Sequence, residues 1–454
     1  MSAVTKSETR PAGTALADGF ELSRLPGAGN AAVTALRTAA RDAFLAAGLP
    51  GRRDEAWRYT SLAGLGRESF AVPDGKAGSL DVTALEARVL DDVDGALRLT
   101  FVDGVFSPAL STDALDAVEG VSIRLLDTVL AEGNGLQPGE IVTLEESPLA
   151  ALSTAFMSGG LGLAVPAGVA VERPVHVVFV TTKAGLMTSP RLLIELGDGA
   201  KLTVMESYTS LTDAAVFTNA VVEVSLGAGA QLGHYKLQTE SPAGYHLSTQ
   251  GVALGDNASY DNFILTLGSV LSRNQIRAEL GTASLCHLNG GYMIHDRQLA
   301  DTSSYIHHAQ PDANSHQVYK GVIDGQAHGV FAGKIRVAPD AQRTDGYQLN
   351  RALLLSDTAE INAKPELEIF ADDVKCSHGA TAGSLDEDWL FYLRSRGIPL
   401  AEAQALLVGA FIEEALETVN HEGVRAALST HVAAWRGRYM PSSLPVGGAA
   451  EEIE

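Results

Sequence analysis

Cysteine is scarce in this chain: among 454 residues only Cys286 and Cys376 carry thiols, and no Cys-x-x-Cys occurs. Two thiols so far apart suggest no disulfide framework, and no zinc ribbon or paired-cysteine redox centre can be assembled from them. Positive charge is also in short supply. With 33 basic against 55 acidic residues the net charge is −22, which repels phosphate backbones and anionic lipid and argues against nucleic acid or a membrane surface as partner. The amino terminus, Met1 to Arg10, lacks the apolar centre of a secretory signal. The longest apolar stretch, residues 161–180, is broken by Pro166, Glu172, Arg173 and Pro174, so no transmembrane helix is expected. Together these features predict a cytoplasmic protein with reduced thiols. Walker loops, the dinucleotide glycine fingerprint and the Gly-x-Ser-x-Gly elbow are missing as well, which leaves no phosphate loop or hydrolase nucleophile.

What is there is mostly alternation and turns. After a flexible stretch over residues 1–25, Val33, Leu36, Ala40, Phe44 and Ala47 fall at helical spacing until Gly48 and Pro50 stop the pattern. Asp103-Gly104 inside Leu97–Phe106 marks a tight hairpin, so a small helical or mixed domain is expected over residues 26–150. From residue 151 the character changes. A short phrase recurs at Leu196-Gly-Asp-Gly-Ala200, Leu226-Gly-Ala-Gly-Ala230, Leu254-Gly-Asp-Asn-Ala258 and Leu280-Gly-Thr-Ala283, at intervals of 30, 28 and 26 residues. Each phrase follows a β-branched or alternating run, so its glycines read as turns closing a strand. Further on, Asp324, Asp340, Asp357 and Asp373 mark turns at about half that period. Units of this size cannot bury their apolar faces alone, and stacking them makes a β-solenoid. The alternative, an antiparallel sandwich or barrel, turns at shorter spacing. The expected class is therefore mainly β: a solenoid core over residues 151–383, between the amino-terminal domain and a carboxy-terminal helical domain over residues 384–440.

That last domain opens with Ser384-Leu-Asp-Glu387, read as a capping box. Gly397 and Pro399 stop and restart the helix, Ala403, Leu407, Ala410 and Phe411 share a face, and a further helix covers about 421–437. A helical cap over the solenoid's open end is expected, since an uncovered coil exposes strand edges. The acidic, Gly-rich residues 441–454 read as a disordered tail.

Cys376 and His378 stand two residues apart in a strand-like run, which places them on one face. Thiolate and imidazole suit iron, zinc or copper(I), and Lys375 and His378 are placed to lower the Cys376 pKa. Two ligands do not close a metal site, and a small buried cysteine is the plainer reading of the residue alone. Seven of the twelve histidines, His287, His295, His307, His308, His316, His328 and His378, crowd into residues 287–378. Solenoid stacking could bring several onto one surface, although none has His-x-His or His-x-x-x-His spacing. Cys286 and His287 fall on opposite faces of an extended run.

The wording of Asn362-Ala-Lys-Pro-Glu-Leu-Glu-Ile369 and Asp372-Asp-Val-Lys-Cys-Ser-His-Gly-Ala-Thr381 resembles the SufB/SufD family of iron-sulfur cluster assembly proteins, and within it the SufD branch. Phe331-Ala-Gly-Lys-Ile335, Thr344-Asp-Gly-Tyr-Gln-Leu-Asn350, Leu390-Phe-Tyr-Leu-Arg-Ser-Arg-Gly-Ile398 and Arg52-Arg-Asp-Glu-Ala-Trp-Arg-Tyr59 carry the same resemblance. It implies a right-handed parallel β-helix and a non-catalytic scaffold subunit. The subunit would pair with a SufB-like paralogue through the β-helix and hold a SufC-like ATPase through its terminal helices, where Leu407, Phe411, Arg394 and Arg396 are the candidate contacts. ATP hydrolysis would belong to that partner. His378 and Cys376 would face the paralogue and meet iron or a nascent cluster only transiently, with no cofactor bound tightly by the isolated chain. Where SufB has its sulfur-accepting cysteine this sequence has Leu349, and where SufB has a carboxylate it has Gly379, which favours SufD over a SufB-like paralogue that holds the cluster itself. The resemblance leaves open a flavin in the complex, iron entry through this subunit, and a homodimer in isolation. A carbohydrate-active β-helix enzyme is the competing class, but grouped carboxylates for calcium and a secretory signal are lacking.

Overall fold

The computed structural model describes residues 11–440 apart from 91, 92, 94 and 146. The predicted tail over 441–454 and residues 1–10 of the stretch expected to be flexible lie outside the described residues; the rest of that stretch is folded, with 3-10 turns at Thr14–Ala17 and Leu22–Arg24 and with Leu16, Ala17 and Leu25 buried. Two ten-residue-wide ribbons of parallel strands dominate the chain and form a β-solenoid of about eight turns. The first sheet runs from Leu97–Val102 through Val175–Thr181, Lys201–Ser210, Gln231–Thr239, Ser259–Thr266, Leu285–Ile294, Asn314–Ile323 and Asp345–Leu354 to Lys375–Gly383. The second runs from Ser122–Leu125, which is antiparallel to its neighbour, through Gly160–Val165, Arg191–Leu196, Phe217–Leu226, Tyr245–Leu254, Leu271–Leu280, Leu299–His308 and His328–Val337 to Glu360–Ile369. The chain alternates between them, so the sheets also take in strands from ahead of residue 151.

The repeated phrases do what their glycines predict: strands end at Leu196, Leu226, Leu254 and Leu280, the leucine of each phrase. Asp324, Asp340, Asp357 and Asp373 fall in turns after successive strands of both sheets, which is why their period is half that of the phrases. Asp103 (φ 51°) and Gly104 (φ 82°) form the predicted hairpin turn, joining Leu97–Val102 to Val105–Phe106.

Parity fixes the interior. In Lys201–Ser210 the even residues face the lumen, where Leu202, Val204 and Tyr208 join one continuous apolar core with Val222, Val224, Leu232 and Ile276. Burial of this column is the main stabilising term, since each coil hides its faces only against the next. Charged residues of the same parity are drawn inside with them. Glu206 bonds His234 Nε2 at 2.6 Å, Lys236 donates to Asn274 Oδ1 at 2.9 Å, and Glu240 lies 2.7 Å from His246. These groups pair with one another because an unpaired charge in that lumen would cost several kcal/mol.

Helices cover the outer faces. Helix α1 (Ala31–Ala47) starts at Asn30, whose side chain accepts from Ala32 N and Val33 N, and ends at Gly48 with φ 68°. Helices α2 (Val82–Glu86) and α3 (Leu126–Glu132) are short, and α4 (Pro148–Phe156) packs with α1 and Trp57 onto Phe217, Tyr245 and Leu271 of the second sheet. Arg37 of α1 is fully buried and donates to the carbonyls of Ala155 and Met157. Beyond the solenoid come α5 (Glu387–Ser395), α6 (Leu400–Leu416) and α7 (Glu422–Tyr439).

The carboxy-terminal helices depart from expectation in three ways. The cap of α5 is Asp386 rather than Ser384: its side chain accepts from Asp388 N and Trp389 N, so the helix starts later than the expected box. The buried face of α6 is Ala403, Val408, Ile412 and Ala415, with Ala410 exposed and Leu407 only half-buried. And the helices do not cap the open coil. Val408, Ile412, Val424, Leu428 and Trp435 pack sideways on Met205, Leu237, Phe263, Met293 and Val322, the outer face of the first sheet, where a broad apolar surface was available.

Candidate functional site at the open end of the solenoid

The last coil has no successor among the described residues. Strand Glu360–Ile369 pairs only with His328–Val337, and Lys375–Gly383 only with Asp345–Leu354. Each therefore leaves one edge of backbone N–H and C=O groups unpaired by a strand. Pro365, which no interior strand tolerates, is accommodated at this edge. Ile369 and Phe370 stand exposed beside it.

Cys376 lies in register with Gly346, and His378 with the fully buried Gln348. Gly346 and Gln348 are the inward residues of their strand, so Cys376 and His378 share the lumen face, as the alternation predicts. Cys376 is half-buried against the end of the lumen core, and a methyl group on Gly346 would lie 3.4 Å from its sulfur. His378 stands exposed at the mouth. Burial, with the Asp345 carboxylate nearby, pushes the Cys376 thiol up, while a backbone hydrogen bond at Gly346 opposes them. The expected lowering by Lys375 and His378 is thus reversed: Lys375 has the opposite parity and faces outward, and desolvation dominates.

Leu349 and Gly379 are partners in register, with a methyl group on Gly379 falling 3.1 Å from Leu349 Cδ1. Both have outward parity. The two positions thus sit next to each other, on the face opposite Cys376 and His378.

The other histidines do not converge. His287 and His316 stack in register on the outer face of the first sheet, with ring centroids 6.2 Å apart, and His316 lies against Tyr347. His308 is in the lumen against Ser315, His328 contacts Asn362, His295 packs on Tyr439, and His307 lies on the outer face of the second sheet. Cys286 is fully buried opposite His287 in parity, its pKa pushed up to about 12 by burial. Among the described residues, no three His, Cys, Asp or Glu side chains are grouped to hold a metal ion.

The terminal helices carry a second surface. Trp389 is 59% exposed and Phe391 75%, with Tyr392, Leu400 and Leu406 also open. Arg394 and Arg396 lie on the same helix end, the Arg396 guanidinium 4.3 Å from the Tyr392 ring centroid. Phe411, by contrast, turns toward the solenoid, its ring 4.7 Å from Lys320 Nζ. The exposure of the α5 aromatics is not legible in the sequence, where the only signal is three aromatics, Trp389, Phe391 and Tyr392, in a nine-residue helix that buries none of them.

The fold is a β-solenoid with helices on its outer faces and a last coil whose two strands each pair on one side only among the described residues. Residues 179–411 match the SufBD core domain of SUF system FeS cluster assembly, and residues 25–177 match the SufBD protein N-terminal region. The chain belongs to the SufBD family. It is 35% identical to the iron-sulfur cluster assembly protein SufD of Escherichia coli, over 84% of this chain and 88% of that protein. It is 36% identical to an iron-sulfur cluster assembly SufBD family protein of Synechocystis, over 84% and 86% respectively. To SufD of Bacillus subtilis it is 27% identical over 82% of this chain and 86% of the relative. No helix among the described residues is long and apolar enough to cross a membrane.

Proposed function

We propose that this chain is the SufD-type subunit of a cytoplasmic cluster-assembly scaffold, joined to a SufB-like paralogue through its last coil and to a SufC-like ATPase through α5 and the start of α6. The observation that carries this reading is the unfinished coil with Cys376 and His378 on its lumen face. A second solenoid continuing the two sheets would satisfy the free edges, cover Ile369 and Phe370, and enclose both side chains. Strand addition supplies affinity through main-chain bonds and specificity through side chains at alternate positions.

Iron or a nascent cluster is cargo here. One thiol and one imidazole are too few to hold it, so the remaining ligands come from the partner. Cys376 enters protonated, which suits a transient ligand that binds only when a metal displaces its proton. Trp389, Phe391 and Tyr392, with Arg394 and Arg396 beside them, offer the ATPase an aromatic and cationic surface of the kind found at binding hot spots. Hydrolysis then occurs on the partner.

The test is anaerobic co-expression with SufB-like and SufC-like partners. Cys376→Ala with His378→Ala is expected to leave complex recovery unchanged and to abolish the visible absorption of the assembled cluster. Full cluster yield in the double variant would remove both residues from the site.

A further inference from the structure

The outer face of the second sheet is covered by α1 and α4 over its early strands and is left open over the later ones, except where residues 52–60 cross it. Between that crossing and the sheet lies a hollow of about 400 Å³, within the roughly 300–1,000 Å³ span of small-molecule sites. Its wall is rigid. Arg273 is buried, bonds Asp301, donates to Ala56 O at 3.0 Å and stacks 4.0 Å from the Trp57 ring centroid, while Thr60 donates to the same Asp301 carboxylate.

The hollow is lined by rings and cations together with the carboxylates of Glu55, Asp301 and Glu366. Tyr59 and Tyr305 are half-buried rings, with Val330 and Ala332 forming apolar floor beneath them. Arg277, Lys334 and Lys364 bring cations to the rim, the Arg277 guanidinium 5.3 Å from the Tyr305 ring centroid. In a chain of net charge −22 this cluster is an exception. The carboxylates that meet the lysines are part-exposed: Glu55, on Lys364, is 75% exposed, Glu366, also on Lys364 and lining the hollow, 44%, and Glu368, on Lys334, 43%. Such exposed pairs are weak and exchange readily for a competing anion.

We propose that this hollow binds a small anion built on one flat aromatic ring, a nucleoside monophosphate in size and charge. The ring would lie against Tyr59 and Tyr305, where stacking tolerates any base. The phosphate would meet Arg277 and Lys334, side chains doing here what a phosphate loop does elsewhere. The site lies outside the last coil's mouth and does not depend on the assembly role.

The test is calorimetric titration of the full-length chain with adenosine monophosphate, adenosine and inorganic phosphate at low salt. Saturable one-to-one binding of the monophosphate is expected, with adenosine and phosphate each at least tenfold weaker. Arg277→Ala combined with Lys334→Ala, and separately Tyr305→Ala, should each weaken binding at least tenfold while leaving the thermal melt unchanged. The proposal is overturned by no saturation below millimolar monophosphate, by phosphate binding as tightly as the nucleotide, or by variants that bind like the parent.

Discussion

Removing the Glu223 carboxylate should loosen the amino-terminal region from the solenoid. Glu223 and Arg191 are both 0% exposed, with Arg191 Nη1 2.6 Å from Glu223 Oε1 and Nη2 2.5 Å from Thr154 Oγ1 of α4. The same carboxylate accepts from the backbone N–H groups of Gly139, Ile141 and Val142. One side chain thus ties a loop and, through arginine, a helix to the second sheet. Glu223→Leu strands a buried guanidinium, a change worth about 3–5 kcal/mol when a buried pair loses one partner. Its three amide donors add about 1–3 kcal/mol for each that water cannot reach. With the fully buried Val142 amide as the one donor that water cannot reach, we expect a loss of roughly 4–8 kcal/mol, a large part of the 5–15 kcal/mol that holds a typical domain. Glu223→Gln, which keeps an acceptor, should lose less, and Arg191→Leu with Glu223→Leu should recover part of the loss because no charge is left unpaired. Solenoids need not unfold in one step, so urea denaturation should be paired with hydrogen exchange on peptides spanning 137–156. A loss below about 1 kcal/mol, with unchanged exchange there, would refute the argument that this pair is the staple.

Acid should destabilise the fold through buried neutral histidines: burial lowers His176 to about 3 and His308 to about 4. Their folded pKa values lie below the unfolded value, so stability is intact above about pH 6.5 and falls on acidification, by about 1.4 kcal/mol per pH unit for each group. Urea midpoints measured from pH 7 to 5 check this, and His308→Gln should flatten the slope; an unchanged slope would contradict it. Alkylation should separate the two thiols. Cys376, half-buried with a raised pKa, should react more slowly than free cysteine and faster as pH rises, while Cys286 should react only on unfolding, as mass spectrometry of iodoacetamide-treated protein would reveal. Gly290→Ala should cost about 1–3 kcal/mol by overpacking, since its methyl would lie 2.8 Å from the Tyr319 ring and 2.9 Å from the Ile264 carbonyl. Gly383→Ala, with nothing within 4 Å, should leave the melting temperature unchanged.

The solenoid was readable because its signals are local and repeated. Leu196, Leu226, Leu254 and Leu280 each end a strand before a turn, and the aspartates mark both turns of each coil. The placement of Cys376 and His378 on one face followed from strand parity alone. Parity also predicts that Glu206 and Lys236 point inward, since they alternate with Leu202, Val204 and Leu232, yet their charge argues for the outside. Only the neighbouring coils, which supply His234 and Asn274, resolve that conflict. Where α6 lies could not be read for a similar reason: Leu407 and Phe411 fit a helical stripe as well as Val408 and Ile412, and the choice depends on the sheet surface beneath. The sign of the Cys376 shift needed depth as well, since sequence proximity places Lys375 beside it and the strand then turns that lysine away.

Lumen parity has a consequence for the proposed assembly. Cys376 and His378 continue the inward columns of Gly346 and Gln348, so whatever extends the sheets by one more coil must also roof these two side chains. Docking and ligand capture would then be one event, because a partner cannot pair with the free edges without closing over the mouth. A cluster bridging the two chains would strengthen their association by the same factor that association strengthens cluster binding. Leu349 and Gly379, with outward parity, lie on the far side of the strand from that mouth. A partner that roofs Cys376 and His378 by extending the lumen would therefore leave the Leu349 and Gly379 face of this chain outside the mouth it closes.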